Sequence, residues 1–317
     1  MRFVGRRVFV TGATGFIGGV VARKLIEEGA HVTCLVRPAT SAGALERQGA
    51  RIVRGDVTEP ATLDLSDQEL LIHAAAWVGY GLPEKKRPKL HQTNVGGTQN
   101  LLAAAEKAKV AKVVHVSSVA ALETRADRAV TEADVKKDGY ESDYARTKTK
   151  SHDIALRSTL PIAIPMPGLV VGPNGPFDPL FRALARGRLP ALPSDDAVKG
   201  WVHVEDCAEA ILECANKGTG PYLLVDENMR ATELLVAACE EAALRVPRFR
   251  VATSLVVGGA SVVERTYNLF GKTPPVSREL LHALKTPMTY DSSKARRELG
   301  WRPRLVERLA ADLRGYA

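Results

Sequence analysis

Val8-Phe9-Val10-Thr11-Gly12-Ala13-Thr14-Gly15-Phe16-Ile17-Gly18-Gly19 runs from a β-branched strand through a glycine turn into the start of a helix. The glycines fall as Gly12-x-x-Gly15-x-x-Gly18, a variant of the dinucleotide-binding spacing. Gly12 lets the chain turn tightly off the strand, Gly15 removes a Cβ where a pyrophosphate would approach, and Gly18 lets the helix lie close to the sheet. The helix N-terminus offers free amides and the positive end of its dipole to an anion. Gly12, Thr14, Gly15, Phe16, Ile17 and Gly18 form the candidate cradle. The turn has no Gly-Lys-Ser/Thr, which excludes a P-loop nucleotidase.

Outward from this turn, short β-branched runs alternate with helical patterns, the mark of βαβ units and a parallel sheet. Strands are expected at Arg7 to Thr11, His31 to Arg37, Arg51 to Gly55, Leu70 to Ala75, Lys112 to Ser117 and Pro161 to Gly168. Helices are expected at Phe16 to Gly29, Leu90 to Lys109 and Tyr144 to Ser158. The fold class is α/β, a doubly wound Rossmann sheet with a smaller C-terminal substrate-binding part. Beyond Gly172 the rhythm breaks, with Pro173, Gly175, Pro176 and Pro179 close together. The division expected is 1–172 for the nucleotide-binding domain, with 200–225 returning to it, and 173–199 plus 226–317 for the substrate side.

The second strand ends Cys34-Leu35-Val36-Arg37, with no acid between His31 and Leu45. An NAD-preferring site normally has Asp or Glu there for the ribose 2′-hydroxyl. Arg37 can instead meet a 2′-phosphate with paired donors, so NADP is expected over NAD; the plainer possibility is a surface arginine. After the third strand, Asp56 either accepts from an adenine amino group or caps the next turn.

The chain has 317 residues, 45% of them hydrophobic and 25% charged, enough for a packed core. Its longest weakly apolar stretch, Ala252 to Val263, is broken by Gly258, Gly259 and Ser261 and falls short of the roughly 20 apolar residues of a membrane span. Cys34, Cys207, Cys214 and Cys239 lack any C-x-x-C pairing, so zinc is not expected and a reducing, cytoplasmic setting is. Forty-four basic against 36 acidic residues leave a net +8. These charges are scattered and aromatics are only 5%, which argues for a solvated basic surface rather than a nucleic-acid face.

Tyr144-Ala145-Arg146-Thr147-Lys148 places a phenol and an ammonium one helical turn apart on one face. A phenol exchanges protons poorly near neutral pH until a neighbouring cation stabilises its phenolate. Ser118 ends the fifth strand, and in an open parallel sheet such carboxyl ends face the ligand crevice. It can polarise a substrate carbonyl beside Tyr144, or simply cap the next turn. No Gly-x-Ser-x-Gly occurs, and His73, His91 and His115 show no hydrolase spacing. Trp77, Tyr80, Leu169, Phe177, Trp201 and Tyr267 are the candidate substrate-pocket residues.

With these motifs the chain resembles the extended short-chain dehydrogenase/reductase family. Thr11 to Gly18 matches its cofactor motif, Gly55-Asp56-Val57 its adenine-contacting turn, and His73-Ala74-Ala75-Ala76 its fourth-strand end. Thr93-Asn94-Val95-Gly96-Gly97-Thr98 is similar to its long-helix motif, whose Asn supports the active site. Trp201-Val202-His203-Val204-Glu205-Asp206 and the stretch from Asp291 to Pro303 resemble later structural signatures. The Leu-Val-Arg-Pro ending at Pro38, and Val256 to Pro275, are similar to the dihydroflavonol reductase-like and 3β-hydroxysteroid dehydrogenase-like branch. Where the family often carries Arg-Pro-Gly, this chain has Met166-Pro167-Gly168, and Met supplies no guanidinium.

The resemblance implies Ser118, Tyr144 and Lys148 as a catalytic trio with Asn94 behind them. It also implies Val57, Ala74, Ala75, Ala76, Pro167, Gly168 and Val170 as further cofactor contacts. Lys148 would bind the nicotinamide ribose and bias Tyr144. The reaction implied is reversible NADP(H)-dependent reduction of a ketone or aldehyde to an alcohol. Its partners would be a small carbonyl or alcohol and a second copy of the chain, paired through Leu90 to Lys109 and Tyr144 to Ser158. The rival readings are a sugar-nucleotide epimerase or dehydratase that retains its cofactor, and a non-catalytic NADP sensor.

Overall fold

The computed structural model describes residues 2–79, 84–252 and 286–317. Seven strands form one wholly parallel sheet: β1 (Arg7–Thr11), β2 (His31–Val36), β3 (Arg51–Arg54), β4 (Leu70–His73), β5 (Lys112–His115), β6 (Ile162–Pro167) and β10 (Gly220–Leu224). Their order is β10-β6-β5-β4-β1-β2-β3. The chain therefore reverses its direction of growth at β1, where an open α/β sheet opens a crevice above its strand ends.

Alternation along β1 shows why both faces are covered. Val8 and Val10 join one core with Val21, Ala22 and Leu25 of α1 (Phe16–Glu27) and Cys207, Ala208 and Ile211 of α7 (Val204–Asn216). Phe9 turns the other way, into a core with Leu71, Val113 and Ile164, covered by Leu101 and Ala105 of α4 (Gly97–Lys107) and Ala155 of α5 (Asp143–Leu156). Strands apolar on both sides are stable only with helices on both sides.

The helix expected from Leu90 to Lys109 is interrupted. It comprises α3 (Arg87–His91), a π-helical segment at Gln92–Gly96, and α4. Such segments re-aim side chains and cluster at functional sites; this one carries Asn94. Helix α5 starts at Ser142, whose hydroxyl accepts the Ala145 amide at 2.9 Å, and Asp143 lies at the positive end of its dipole.

A smaller lobe hangs from the end of β6. The chain leaves the large sheet after Pro167, and β7 (Leu169–Val171) pairs with β9 (Val198–His203), which pairs in turn with β11 (Glu227–Arg230). Within 200–225, α7 and β10 rejoin the large sheet, whereas β9 stays with the small one. Helices α6 (Asp178–Ala185), α8 (Ala231–Glu241) and α10 (Leu305–Tyr316) bury Phe181, Leu235 and Leu309 against β9. A short α9 (Ser293–Leu299) returns to the first core through Ala295 and Leu299. Strands β8 (Ala191–Pro193) and β12 (Phe249–Val251) pair at the lobe's rim.

Candidate active site

At the end of β1 the backbone of Gly12 has φ +76°, a left-handed conformation that L side chains rarely adopt. A Cβ there would also lie 2.6 Å from the Ala75 amide nitrogen. The Gly15 amide closes the turn onto the Gly12 carbonyl at 2.8 Å. That same carbonyl occupies the space a Cβ on Gly18 would need, so α1 lies directly on the turn. Thr14 and Gly15 face solvent, and Phe16 and Ile17 are half-buried. No side chain caps α1 and no acid stands in its first turn, leaving its amides and positive dipole end for an anion. The cradle fits a dinucleotide pyrophosphate.

Around the cradle, Ala74 donates its amide to the Thr11 carbonyl at 3.2 Å and Ala75 donates to the Thr11 hydroxyl at 3.3 Å; Ala76 beyond them is exposed. Arg37 is exposed directly after β2. Arg54, which sequence reasoning passed over, donates to the carbonyls of Arg37 at 3.2 Å and Thr40 at 2.6 Å, bracing the turn that carries Arg37. One oxygen of Asp56, Oδ1, accepts the amide and the hydroxyl of Thr58, each at 2.9 Å, so this residue does cap its turn. Val57 is buried, its carbonyl held by the Asn100 amide group at 2.9 Å.

Above the ends of β4 and β5 the structure brings Ser118, Tyr144 and Lys148 together. The Tyr144 phenol is hydrogen-bonded to Ser118, and the Ser118 hydroxyl oxygen also accepts the Ala120 amide at 3.1 Å. One turn along α5, Lys148 donates from Nζ to the Val116 carbonyl at 2.9 Å. Burial lowers the Lys148 ammonium to about 8, because a low-dielectric site disfavours the charged form. Burial raises the Tyr144 phenol, and the Ser118 bond acts the other way. At neutral pH the phenol therefore holds its proton, one helical turn from an ammonium that largely keeps its own.

Asn94 sits below this trio. Its Oδ1 accepts the Trp77 amide at 2.7 Å, while Nδ2 donates to the Trp77 carbonyl at 3.0 Å and the Thr147 hydroxyl at 3.1 Å. Asn94 thus fastens the loop after β4 to α5 and makes no contact with Lys148 itself in the bonds it forms. A cavity of about 370 Å³ opens at the start of α5, with Arg87, Tyr140, Asp143 and Arg146 on its walls, while Tyr144 itself does not line it.

The remaining expected residues divide by lobe. Pro167 is buried at the end of β6, and Gly168 lies so close to Gly200 that a Cβ would stand 2.5 Å from its carbonyl oxygen. Val170 packs against the first core and Leu169 against the core of the small lobe. Phe177 and Trp201 meet edge to face, centroids 5.7 Å apart. Trp201 is 4% exposed and donates its indole N–H to the Met229 carbonyl at 2.9 Å, so its ring belongs to the lobe's core. Trp77 is half-buried, with Lys89 over its ring. Tyr80 and Tyr267 lie outside the described residues.

Sequence reasoning missed a polar layer beneath the trio: His73, Thr98, His115, Ser117, Thr147 and His152, all buried. His73 and His115 stand opposite each other in the β4–β5 register, with ring centroids 5.2 Å apart. His152 meets the Ser117 hydroxyl at 3.1 Å through Nδ1. Only the strand pairing reveals this cluster; no sequence spacing between the histidines does.

The NAD dependent epimerase/dehydratase family model matches residues 8–224, and the chain belongs to that family. Within this extended short-chain dehydrogenase/reductase family it falls in the dihydroflavonol reductase-like and 3β-hydroxysteroid dehydrogenase-like branch. A Synechocystis protein provisionally named dihydroflavonol 4-reductase is 29% identical over 96% of this chain and 92% of its own. The 4-hydroxy-2-methyl-3-oxo-4-farnesyl-3,4-dihydroquinoline-1-oxide ketoreductase of Stigmatella aurantiaca is 26% identical over 96% and 95%. Among solved structures, gox2253 superposes with a TM-score of 0.78 at 30% identity, covering 98% of both chains. The chain is an oxidoreductase of a nicotinamide dinucleotide-dependent family. Among its described residues, no helix is long and apolar enough to cross a membrane.

Proposed function

We propose that this protein reversibly reduces a ketone or aldehyde to an alcohol with NADP(H), by the chemistry of an alcohol dehydrogenase. The observation that carries the reading is the buried trio: a phenol hydrogen-bonded to Ser118, one helical turn from a buried ammonium. The bound nicotinamide supplies the hydride, and the protein supplies orientation and electrostatics. Ser118 and Tyr144 hold the carbonyl oxygen, and Tyr144 gives it a proton as the alcohol forms. The Lys148 ammonium stabilises the phenolate left behind and binds the nicotinamide ribose. Asn94 keeps α5 and the loop at Trp77 in register for both.

Arg37, exposed at the end of β2 and braced by Arg54, supports NADP over NAD, since a guanidinium pairs with a 2′-phosphate. Asp56 keeps Oδ2 for the adenine side, and Val57, Ala74, Ala75, Pro167, Gly168 and Val170 line the nucleotide's path in the same reading. The chain would pair with a second copy through α4 and α5, which sedimentation would measure.

The deciding experiment measures NADPH and NADH oxidation by wild type and Tyr144→Phe across aromatic, aliphatic and steroidal carbonyls. Turnover that prefers NADPH and falls by orders of magnitude in the variant is expected. No turnover on any carbonyl, with nucleotide retained through purification, would overturn the reading in favour of an epimerase or a sensor.

A further inference from the structure

Five buried residues, Thr11, His73, Thr98, Asn94 and Thr147, connect the glycine turn to the catalytic helix. Thr11, the last residue of β1, has its hydroxyl 2.8 Å from Nδ1 of His73, and Nε2 of the same ring lies 3.1 Å from the Thr98 hydroxyl. The directions of these bonds follow from what each group can give. Thr98 donates its hydroxyl proton to the Asn94 carbonyl at 2.8 Å. A hydroxyl has a single proton, and the shorter contact to the Asn94 carbonyl claims it, so toward His73 the oxygen accepts. Nε2 must then carry the ring's hydrogen, which leaves Nδ1 bare to accept the proton of Thr11. The Thr11 oxygen takes the Ala75 amide at 3.3 Å, completing its own set.

From Asn94 the run continues through the side chain, which donates to Thr147 at 3.1 Å, and the Thr147 hydroxyl donates to the Tyr144 carbonyl at 3.0 Å. Every hydrogen from Ala75 to Tyr144 has one donor and one acceptor, and the opposite tautomer would set two acceptors, the bare Nε2 and the Thr98 oxygen, against each other. A protonated ring would also break the run, because it has no lone pair for Thr11. Its surroundings prevent this: burial first, then the Lys148 ammonium, hold His73 at about 3. A buried network in which each hydrogen finds an acceptor fixes geometry more than a loose one does.

We propose that His73 is a positioning residue, locked in its Nε2–H tautomer, that couples nucleotide binding at the Gly12–Gly18 turn to the alignment of Tyr144 and Lys148. The coupling rests on the nucleotide-dependent function proposed above; the tautomer does not.

Imidazole ¹⁵N spectra of the full chain should show His73 with a protonated Nε2 and a bare Nδ1, unchanged from about pH 5 to 8. Thr98→Val removes the acceptor of Nε2–H. It should weaken NADPH binding, followed by nucleotide fluorescence, by about tenfold, the worth of one buried hydrogen bond. Thr98→Ser should restore both the affinity and the tautomer signal. Among the described residues Thr11 and Thr98 meet through His73, so Thr11→Val and Thr98→Val should weaken binding by less than the product of their separate factors.

A wild-type ring protonated at Nδ1, or one that titrates within that range, would refute the lock. Multiplying factors in the double variant would reduce His73 to a structural part and refute the coupling. A wild-type protein that binds no NADPH would refute the proposed function and the coupling with it. The tautomer signal separates that failure from a failure of the network.

Discussion

Replacing Lys148 with methionine should make the nucleotide-free protein more stable while abolishing its activity. The ammonium sits at about 8 in the fold against an ordinary 10.5, so at pH 7 it destabilises the native state by about 3 kcal/mol. Methionine has a similar stem and no charge, and it loses the bond from Nζ to the Val116 carbonyl, worth about 1 kcal/mol. The expected net gain is about 2 kcal/mol at pH 7. Its pH dependence follows from the direction of the shift. Between the folded and unfolded values the unfolded chain keeps the proton that the native state has shed, so the wild type gains stability as pH rises. The advantage of Lys148→Met should therefore shrink by about 2 kcal/mol between pH 7 and about pH 9.5. Urea unfolding of both proteins at the two pH values measures it. A variant no more stable than wild type at pH 7, or a gap that does not change with pH, would refute the argument that the site stores an uncompensated charge.

The buried histidines should make the fold acid-labile. His73 sits at about 3 and His152 at about 4, both lowered chiefly by burial, and His115 lies well below 6.5. Unfolded imidazoles take up protons near pH 6.5 that the native ones refuse, so each should remove about 1 kcal/mol of stability per pH unit below that point. Urea midpoints from pH 7 to 5 would show it, and His73→Gln should flatten the slope by one proton. Arg37→Ala should raise the dissociation constant for NADPH by roughly 10–100-fold and leave NADH unchanged, as expected for lost charge-assisted hydrogen bonds; titration with both nucleotides checks this. Gly12→Ala forces a side chain into a φ of +76° and against the Ala75 amide. It should cost about 1–3 kcal/mol in thermal unfolding and remove nucleotide binding.

How much of this was readable beforehand depends on where each feature's information lies. β1, the glycine turn and α1 announce themselves within a dozen residues because every constraint on them is local. Tyr144 and Lys148 were legible for the same reason: one helical turn fixes their shared face. The π-helical turn at Gln92–Gly96 was hidden, since an extra residue in one turn leaves the apolar spacing at Leu101 and Ala105 intact. The small sheet escaped because β7 spans only Leu169–Val171, too short for a period to show. Phe177 and Trp201 read equally as wall or core, and the edge-to-face packing is a tertiary fact. The histidine layer was invisible because His73 and His115 meet through the register of two strands separated, among the described residues, by a 3-10 turn, two α-helices and a π turn.

The loop after β7 comes back over the nucleotide cradle. A side chain at Gly175 would run into the ring of Phe16, the residue that opens α1 immediately beyond the glycine turn. The two lobes thus touch here with no spare thickness. Residue 175 is a shim of zero width, and any side chain there must displace either the loop or the Phe16 ring. The spacing at this contact is set by one aromatic ring against bare backbone.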